Sequence, residues 1–492
     1  MTSATVAPFD VCGPLPTGVA VLEASAGTGK TFTIAALATR YVADGLPLEH
    51  LLIVTFTRMA TSELRDRVRE RMVSAEQGLS RALAGVAPGV ADDVLRLLAD
   101  APTTEVRHRR DRLTTALSNF DAATITTTHG FCQQVLNGLG VVGDVEGDVT
   151  FVEDSRYLVD EVVTDLYVRK FHRDAGPPPP FTLAEAITIG ETAVSNNDAV
   201  LMPDDATPDS AANLRWRLAT RVRHEVDRRR RLAAALTYDD LPTRLRDTLA
   251  DPERGELACR RLRSRYRVAL VDEFQDTDPV QWEIMRRAFA DPATGTGLVL
   301  IGDPKQAIYA FRGADVYAYL EAAKMAGTEA TLEVNWRSDQ GLLDAYDALF
   351  AGARLGHPGI VYRDVRAAPP NRGRRMTGPE LPSERGGGAP VVEPLRIRLL
   401  HRDDGHVKLT PKGYLSADGA RACIAADLAG DVVGLLASRA QIATLPGEGD
   451  DTATATRPFR PGDVAVLVHR NRDALAVRDA LDAVGVPAVV NG

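Results

Sequence analysis

Glu23-Ala-Ser-Ala-Gly-Thr-Gly-Lys-Thr31, read EASAGTGKT over residues 23–31, is the stretch on which the fold turns. It follows an apolar run, Val19–Leu22, and opens FTIAALATRYVADG (32–45), whose apolar residues have helical spacing and whose end is a glycine. Strand, glycine-bearing turn and helix in that order aim backbone N–H groups at phosphate. The loop Ala24, Ser25, Ala26, Gly27, Thr28, Gly29, Lys30 and Thr31 is therefore a candidate ATP-binding segment. Lys30 is placed to neutralise the β- and γ-phosphates, and the Thr31 hydroxyl to hold Mg²⁺. Ala24 stands where the usual pattern has its first glycine; alanine serves if its φ stays negative, because Gly27 and Gly29 keep the turn flexible. The plainer reading is a glycine-rich turn that binds nothing.

Outward from the loop, LLIVTF (51–56), VALVDEF (268–274) and GLVLIGD (297–303) have the pattern of buried strands, and ATSELRDRVRERM (60–72) that of a charged helix. Strands alternating with helices predict an α/β fold with a parallel sheet. A phosphate loop needs an acid at the end of a second strand. Asp272 is the expected Mg²⁺ partner, and Glu273 is placed to orient and activate the attacking water. Two adjacent acids also suit the cap of a following helix, since DEFQDTDPVQW reads as a helix start. The distance from Lys30 to Asp272 along the chain requires a large insertion. The expected layout is a RecA-like ATP-binding domain over 1–75 and 256–345, with 120–140 belonging to it. Residues 76–119 and 141–255 form a helical insertion, 346–395 a connection rich in Gly, Pro and Arg, and 396–492 the start of a second RecA-like domain. In that last part, PGDVAVLVHR (461–470), a helix near 472–484 and VPAVV (486–490) read as a β-α-β unit.

Of the 492 residues 45% are hydrophobic and 25% charged, ordinary for a globular protein with more than one core. The formal net charge of -9 excludes a general nucleic-acid coat, so any DNA contact must lie in a local groove. Cys12, Cys132, Cys259 and Cys423 are widely spaced and form no CxxC pair, so no disulfide framework or zinc site is indicated and a reducing cytosol fits. The N-terminus has no signal-peptide pattern, and no run approaches the roughly 20 apolar residues of a membrane span.

Four further segments carry a family resemblance: VTFTRMATSELRDR (54–67), TTHGFC (127–132), IGDPKQAIYAFRGAD (301–315) and LEVNWRS (332–338). With EASAGTGKT and VDEFQDTDPVQ they resemble, in order, six motifs of the UvrD/RecB-type superfamily 1 DNA helicases. Their wording leans to the RecB branch, the beta subunits of exodeoxyribonuclease V; the AddA nuclease-helicases are similar. The resemblance implies an ATP-dependent 3′→5′ DNA translocase serving double-strand-break repair and recombination. Its partners would be single-stranded DNA, duplex ends, and RecC-like and RecD-like subunits. It also implies that Gln306 senses the γ-phosphate and that Arg337 stabilises its transition-state charge. Phe56, Tyr309 and Phe311 would stack on bases, a sequence-tolerant grip, and His129 and Arg312 would touch bases or phosphates.

Each of these residues has a plainer alternative. Phe56, Tyr309 and Phe311 also suit a core, His129 a satisfied buried histidine, and Arg337 a surface ion pair. Asn335 and Trp336 read as supports for Arg337. The basic runs at 107–112, 215–232 and 260–267 are either solvated helix faces or contacts to DNA or a partner subunit. Helicase motifs V and VI, the nuclease acids and the upstream adenine-reading glutamine motif are not recognisable. Asp403-Asp404 and Asp450-Asp451 read as solvated loop residues. The expectation is an N-terminal fragment that binds Mg·ATP without unwinding DNA alone. The rivals are an AddA- or UvrD-type repair helicase and, from another class, a catalytically silent DNA-binding or scaffolding module. A P-loop kinase is disfavoured because no acceptor site is apparent.

Overall fold

The computed structural model of the chain describes residues 6–89, 92–139, 150–151, 156–171, 179–196, 199–208, 210–232, 235–236, 240–310, 313–353, 355–378, 393–405, 407–444 and 455–490. It comprises two units, Met1–Ser25 with Gly29–Leu332, and Ala26–Thr28 with Glu333–Gly492.

The first unit is built on a seven-stranded sheet of β1 (Ala7–Pro8), β2 (Gly18–Ala24), β3 (Leu51–Thr55), β4 (Thr124–Thr127), β5 (Val268–Val271), β6 (Gly297–Gly302) and β7 (Thr328–Leu332), in the order β1-β7-β2-β6-β5-β3-β4. Every pairing is parallel. The apolar runs of β2, β3, β5 and β6 are buried nearly throughout, as strands covered on both faces must be. Register sets Glu23 beside Gly302, Val271 beside Leu300, and Val54 beside Val271. The carboxyl ends of β2, β6, β5 and β3 thus share one edge, where open α/β sheets bind ligands.

Helix α1 (Lys30–Ala43) starts behind Gly29, whose φ of 86° is left-handed, and buries eleven consecutive residues from Thr33 to Ala43. Helix α2 (Arg58–Leu83) is capped by the Thr57 side chain accepting from Ala60 N–H. It buries Leu64, Val68, Met72, Ala75 and Leu79, one face at helical spacing, and leaves Arg58, Arg67, Arg69 and Arg81 exposed, while Arg71 turns in to pair with Asp92. Helices α3 (Asp93–Ala99) and α4 (Thr103–Ser118) add Leu95, Leu98 and Leu113 to the same core, so residues 76–119 pack on the sheet. Helix α5 (Thr128–Leu139) follows β4 directly. By contrast α6 (Arg156–Phe171), α7 (Leu183–Ser195) and α8 (Ala211–Leu232) build a core of their own around Val159, Val163, Phe181, Val222 and Val226.

The second unit pairs Val334–Asn335 with Arg366–Ala367 in parallel and Gln441–Thr444 with Ala455–Pro458 antiparallel. Its long helix Ala417–Ala437 packs on Asn471–Ala483 through Ala429, Val432 and Leu481. The latter matches the helix read at 472–484. The strands read within 461–470 and at 486–490 do not form: residues 464–468 and 486–490 join no sheet among the described residues, and Leu467 is 95% exposed. A strand's backbone groups need a neighbouring strand to pair with, and none lies beside them there.

Candidate active site

Ala24 ends β2 in extended backbone, fully buried, which explains why alanine is accepted at that place. Within the second unit, the loop tip Ala26–Thr28 is gripped by the Asn335 turn. Asn335 Nδ2 donates to Ala26 O at 2.9 Å, and Trp336 N–H donates to Gly27 O at 2.8 Å. Asn335 Oδ1 accepts from the N–H groups of Arg337 and Ser338, both at 2.8 Å, which shapes the turn carrying Arg337. Gly27 is obligatory twice over: its φ is 79°, and a Cβ there would stand 2.7 Å from Arg337 Cβ. Arg337 itself is exposed. Trp336 supports the turn through its backbone, and the residue is 58% exposed.

In the first unit, Lys30 Nζ lies 2.7 Å from Glu273 Oε2, with the lysine side chain 13% exposed. Glu273 has φ 49°, a left-handed conformation that a non-glycine residue keeps only when its surroundings hold it. Asp272 directly follows β5 and its N–H donates to Val54 O at 2.9 Å. Burial, then the neighbouring Glu273 charge, push its carboxyl up to about 6, with Lys30 opposing them. Asp276 is likewise pushed up to about 6 by burial and then Glu273, and its buried Oδ1 has no hydrogen-bond partner among the described residues. Gln306 Nε2 donates to Asp303 Oδ2 at 2.8 Å. Lys305 Nζ lies between Glu23 Oε1 (2.6 Å) and Asp303 Oδ1 (2.8 Å), all three side chains largely buried.

Sequence reading missed Glu23, Gln275, Asp303 and Lys305 as a connected set. The signal was there in Glu23, a charged residue inside the buried run VAVLEA. The structure brings Lys30, Asp272, Glu273 and Gln306 to the carboxyl ends of β2, β5 and β6. Phe56 and Tyr309 also meet there, ring centroids 5.2 Å apart and each half-buried, so neither is a plain core residue. His129 is half-buried in the first turn of α5. Phe311 and Arg312 lie outside the described residues.

Two of the basic runs resolve partly into structure. Arg223 donates to the carbonyls of Ala193 (2.7 Å) and Ala199 (2.8 Å), and Arg229 pairs with Glu161, Asp165 and Glu225. Arg109 and Arg112 donate to Leu98 O and Ala43 O. Arg217, Arg221 and His224 on α8 stay exposed. Asp404 caps an exposed turn through His401 N–H, while Asp450-Asp451 lie outside the described residues.

The donor set suits Mg²⁺. Among the described residues no three His, Cys, Asp or Glu side chains gather as a metal cage. Asp272 and the Thr31 hydroxyl alone would leave most coordination places to phosphate and water, as Mg²⁺ prefers. A buried carboxyl lacking a full counter-charge is what such an ion compensates.

A family model described as the UvrD/REP helicase N-terminal domain matches residues 11–326. The chain belongs to the UvrD/REP helicase family. The matched span runs from before the phosphate loop to beyond the Gln306 segment and includes strands β2 to β6. Among curated proteins of this kind, the chain is 43% identical to one named RecBCD enzyme subunit RecB from Mycolicibacterium smegmatis, over 98% of this chain and 41% of the relative. A Mycobacterium tuberculosis protein of the same name is 41% identical over 98% of this chain and 41% of its own. The Escherichia coli protein of that name is 28% identical over 96% and 48% respectively. The chain thus spans about two-fifths of the length of the mycobacterial relatives.

Proposed function

We propose that this chain is the ATP-binding motor part of a RecBCD-type DNA helicase acting 3′→5′ in double-strand-break repair and recombination. The observation that carries the reading is the Lys30–Glu273 pair beside Asp272, at the sheet edge where strands and phosphate loop meet. In this reading the backbone of Ala24–Gly29 and the Lys30 ammonium hold the triphosphate, and Thr31 and Asp272 hold Mg²⁺. When bound, the ion supplies charge neutralisation between the phosphates. Glu273 orients the attacking water and takes its proton, Gln306 reports the state of the γ-phosphate, and Arg337 stabilises charge on it.

Phe56 and Tyr309, paired ring to ring and partly exposed, supply stacking faces for single-stranded DNA. His129, Phe311 and Arg312 extend that contact. The relatives' name supports RecC-like and RecD-like subunits as partners. Duplex ends as substrate and a cytoplasmic setting belong to the same proposal. Among the described residues no helix is long and apolar enough to cross a membrane. In the same proposal residues 1–75 and 256–345, with 120–140, are the first RecA-like domain, 76–119 and 141–255 a helical insertion, 346–395 a connection, and 396–492 the start of a second RecA-like domain.

The test is a calorimetric titration of the folded chain with AMP-PNP and Mg²⁺, beside Lys30→Ala. Binding that disappears in the variant supports the motor reading. No binding by the folded wild type favours the silent DNA-binding module. The joint presence of Lys30, Thr31, Asp272, Glu273, Gln306 and Arg337 argues against that module, since a site freed from catalysis has no physical need for all six.

A further inference from the structure

Gln275 has no role so far, yet its single amide is bonded in both directions. The residue is 2% exposed. Its Nε2 donates to Glu273 Oε2 at 2.8 Å and to Asp276 Oδ2 at 3.3 Å, while its Oε1 accepts the Asp303 N–H at 2.9 Å. Asp303, also 2% exposed, then accepts from Gln306 Nε2 and Lys305 Nζ, and Lys305 reaches Glu23 next to the end of β2. With Lys30 on Glu273 at its other end, the bonds run as a chain from Lys30 to Glu23 across the carboxyl ends of β5, β6 and β2. Gly302 makes room for it: a Cβ there would stand 2.6 Å from Gln275 Oε1.

Among the described residues, the Glu273 carboxylate has two donors, Lys30 and Gln275. A triphosphate at the loop draws Lys30 to itself and leaves Gln275 holding a glutamate whose backbone is in a left-handed conformation. We propose that Gln275 is a positioning residue: it holds Glu273 in place in the nucleotide-bound state and ties it to the Asp303–Gln306 segment, so the ends of β5 and β6 respond as one body. This rests on the nucleotide-site reading above.

The test is a double-mutant cycle on the full chain, titrated with AMP-PNP and Mg²⁺ by calorimetry, with thermal melts to confirm folding. Gln275→Met removes all three side-chain bonds at similar volume. It should weaken binding roughly five- to tenfold in the wild-type background, the scale of one hydrogen bond to a charged group. With Glu273→Ala already present, the same change should alter binding less than about twofold, because the group it acts through is gone. Equal weakening in both backgrounds marks Gln275 as a mere structural support and overturns the proposal, as does no weakening in either. If Gln275→Met does not fold, Gly302→Ala replaces it in the cycle, displacing the amide without changing its chemistry. A folded wild type that does not bind overturns the nucleotide-site reading itself, and this proposal with it.

Discussion

In the proposed reading Lys30 reaches the phosphates and Glu273 handles water, and the structure pairs the two, with Lys30 Nζ 2.7 Å from Glu273 Oε2. Binding therefore begins by breaking that pair, and Glu273→Gln should make nucleotide bind tighter. A hydrogen bond to a charged group contributes about 1.5–3 kcal/mol and a neutral one about 0.5–1.5, so the amide removes about 1–1.5 kcal/mol from the closed state. The Glu273 side chain is 34% exposed, and solvent screening lowers the figure to about 1 kcal/mol, about fivefold in affinity. Losing a negative charge beside the phosphates acts in the same direction, so the whole gain is roughly five- to tenfold. The assay is calorimetric titration of the chain with AMP-PNP and Mg²⁺, repeated at high salt, where the gain should shrink. Unchanged or weaker binding by a folded Glu273→Gln variant refutes the reasoning, since it means that the pair does not compete with phosphate.

Three further outcomes follow from the same edge. The raised Asp276 carboxyl makes the folded protein bind a proton more tightly than the unfolded chain, so this contribution is fully present below about pH 4 and lost as pH rises through about 6. Asp276→Asn should therefore raise stability by about 1–3 kcal/mol at pH 7.5 and by little at pH 4.5; urea melts at the two pH values check it, and equal effects would contradict it. Replacing Mg²⁺ with EDTA should weaken AMP-PNP binding by at least about tenfold in the same calorimetric assay, because the free nucleotide's charge then meets Asp272 and Glu273 uncompensated. Tyr309→Ala should weaken binding of an oligo-dT strand by about 1–3 kcal/mol in fluorescence anisotropy while leaving nucleotide affinity within about twofold; the reverse pattern makes Tyr309 part of the nucleotide site.

The central sheet was legible because strands buried on both faces read as unbroken apolar runs, and the loop because strand, glycines and helix fall in one short window. The Glu23–Lys305–Asp303 cluster was not legible in that way. It depends on β2 lying beside β6, a pairing across some 280 residues of chain that no local pattern announces. The arginines of α8 were ambiguous for a related reason. Composition gives the charge, but only packing shows that Arg223 turns to helix-end carbonyls and Arg229 to three carboxylates. The strand reading at 464–468 and 486–490 failed differently: apolar alternation reports a preference for a sheet, and the preference is met only where a partner strand supplies the other half of each hydrogen bond.

Glu23, Asp272, Glu273, Asp276 and Asp303 crowd one sheet edge, and the lysines placed among them are Lys30 and Lys305. Lys305 pairs with Glu23 and Asp303, and among the described residues Lys30 is the lysine that faces the other three. A fold selected only for stability would gain by neutralising Asp272 and Asp276, since burial already drives both toward the protonated form. The excess is intelligible if the missing positive charge arrives with the ligand. In the proposed reading Mg²⁺ would bring it, the phosphates would take Lys30, and Gln275 would keep Glu273 from swinging free. The acidic surplus, the strained glutamate and the shared lysine are then one arrangement, a site whose charge balance is completed by metal-bound nucleotide and not by the protein alone.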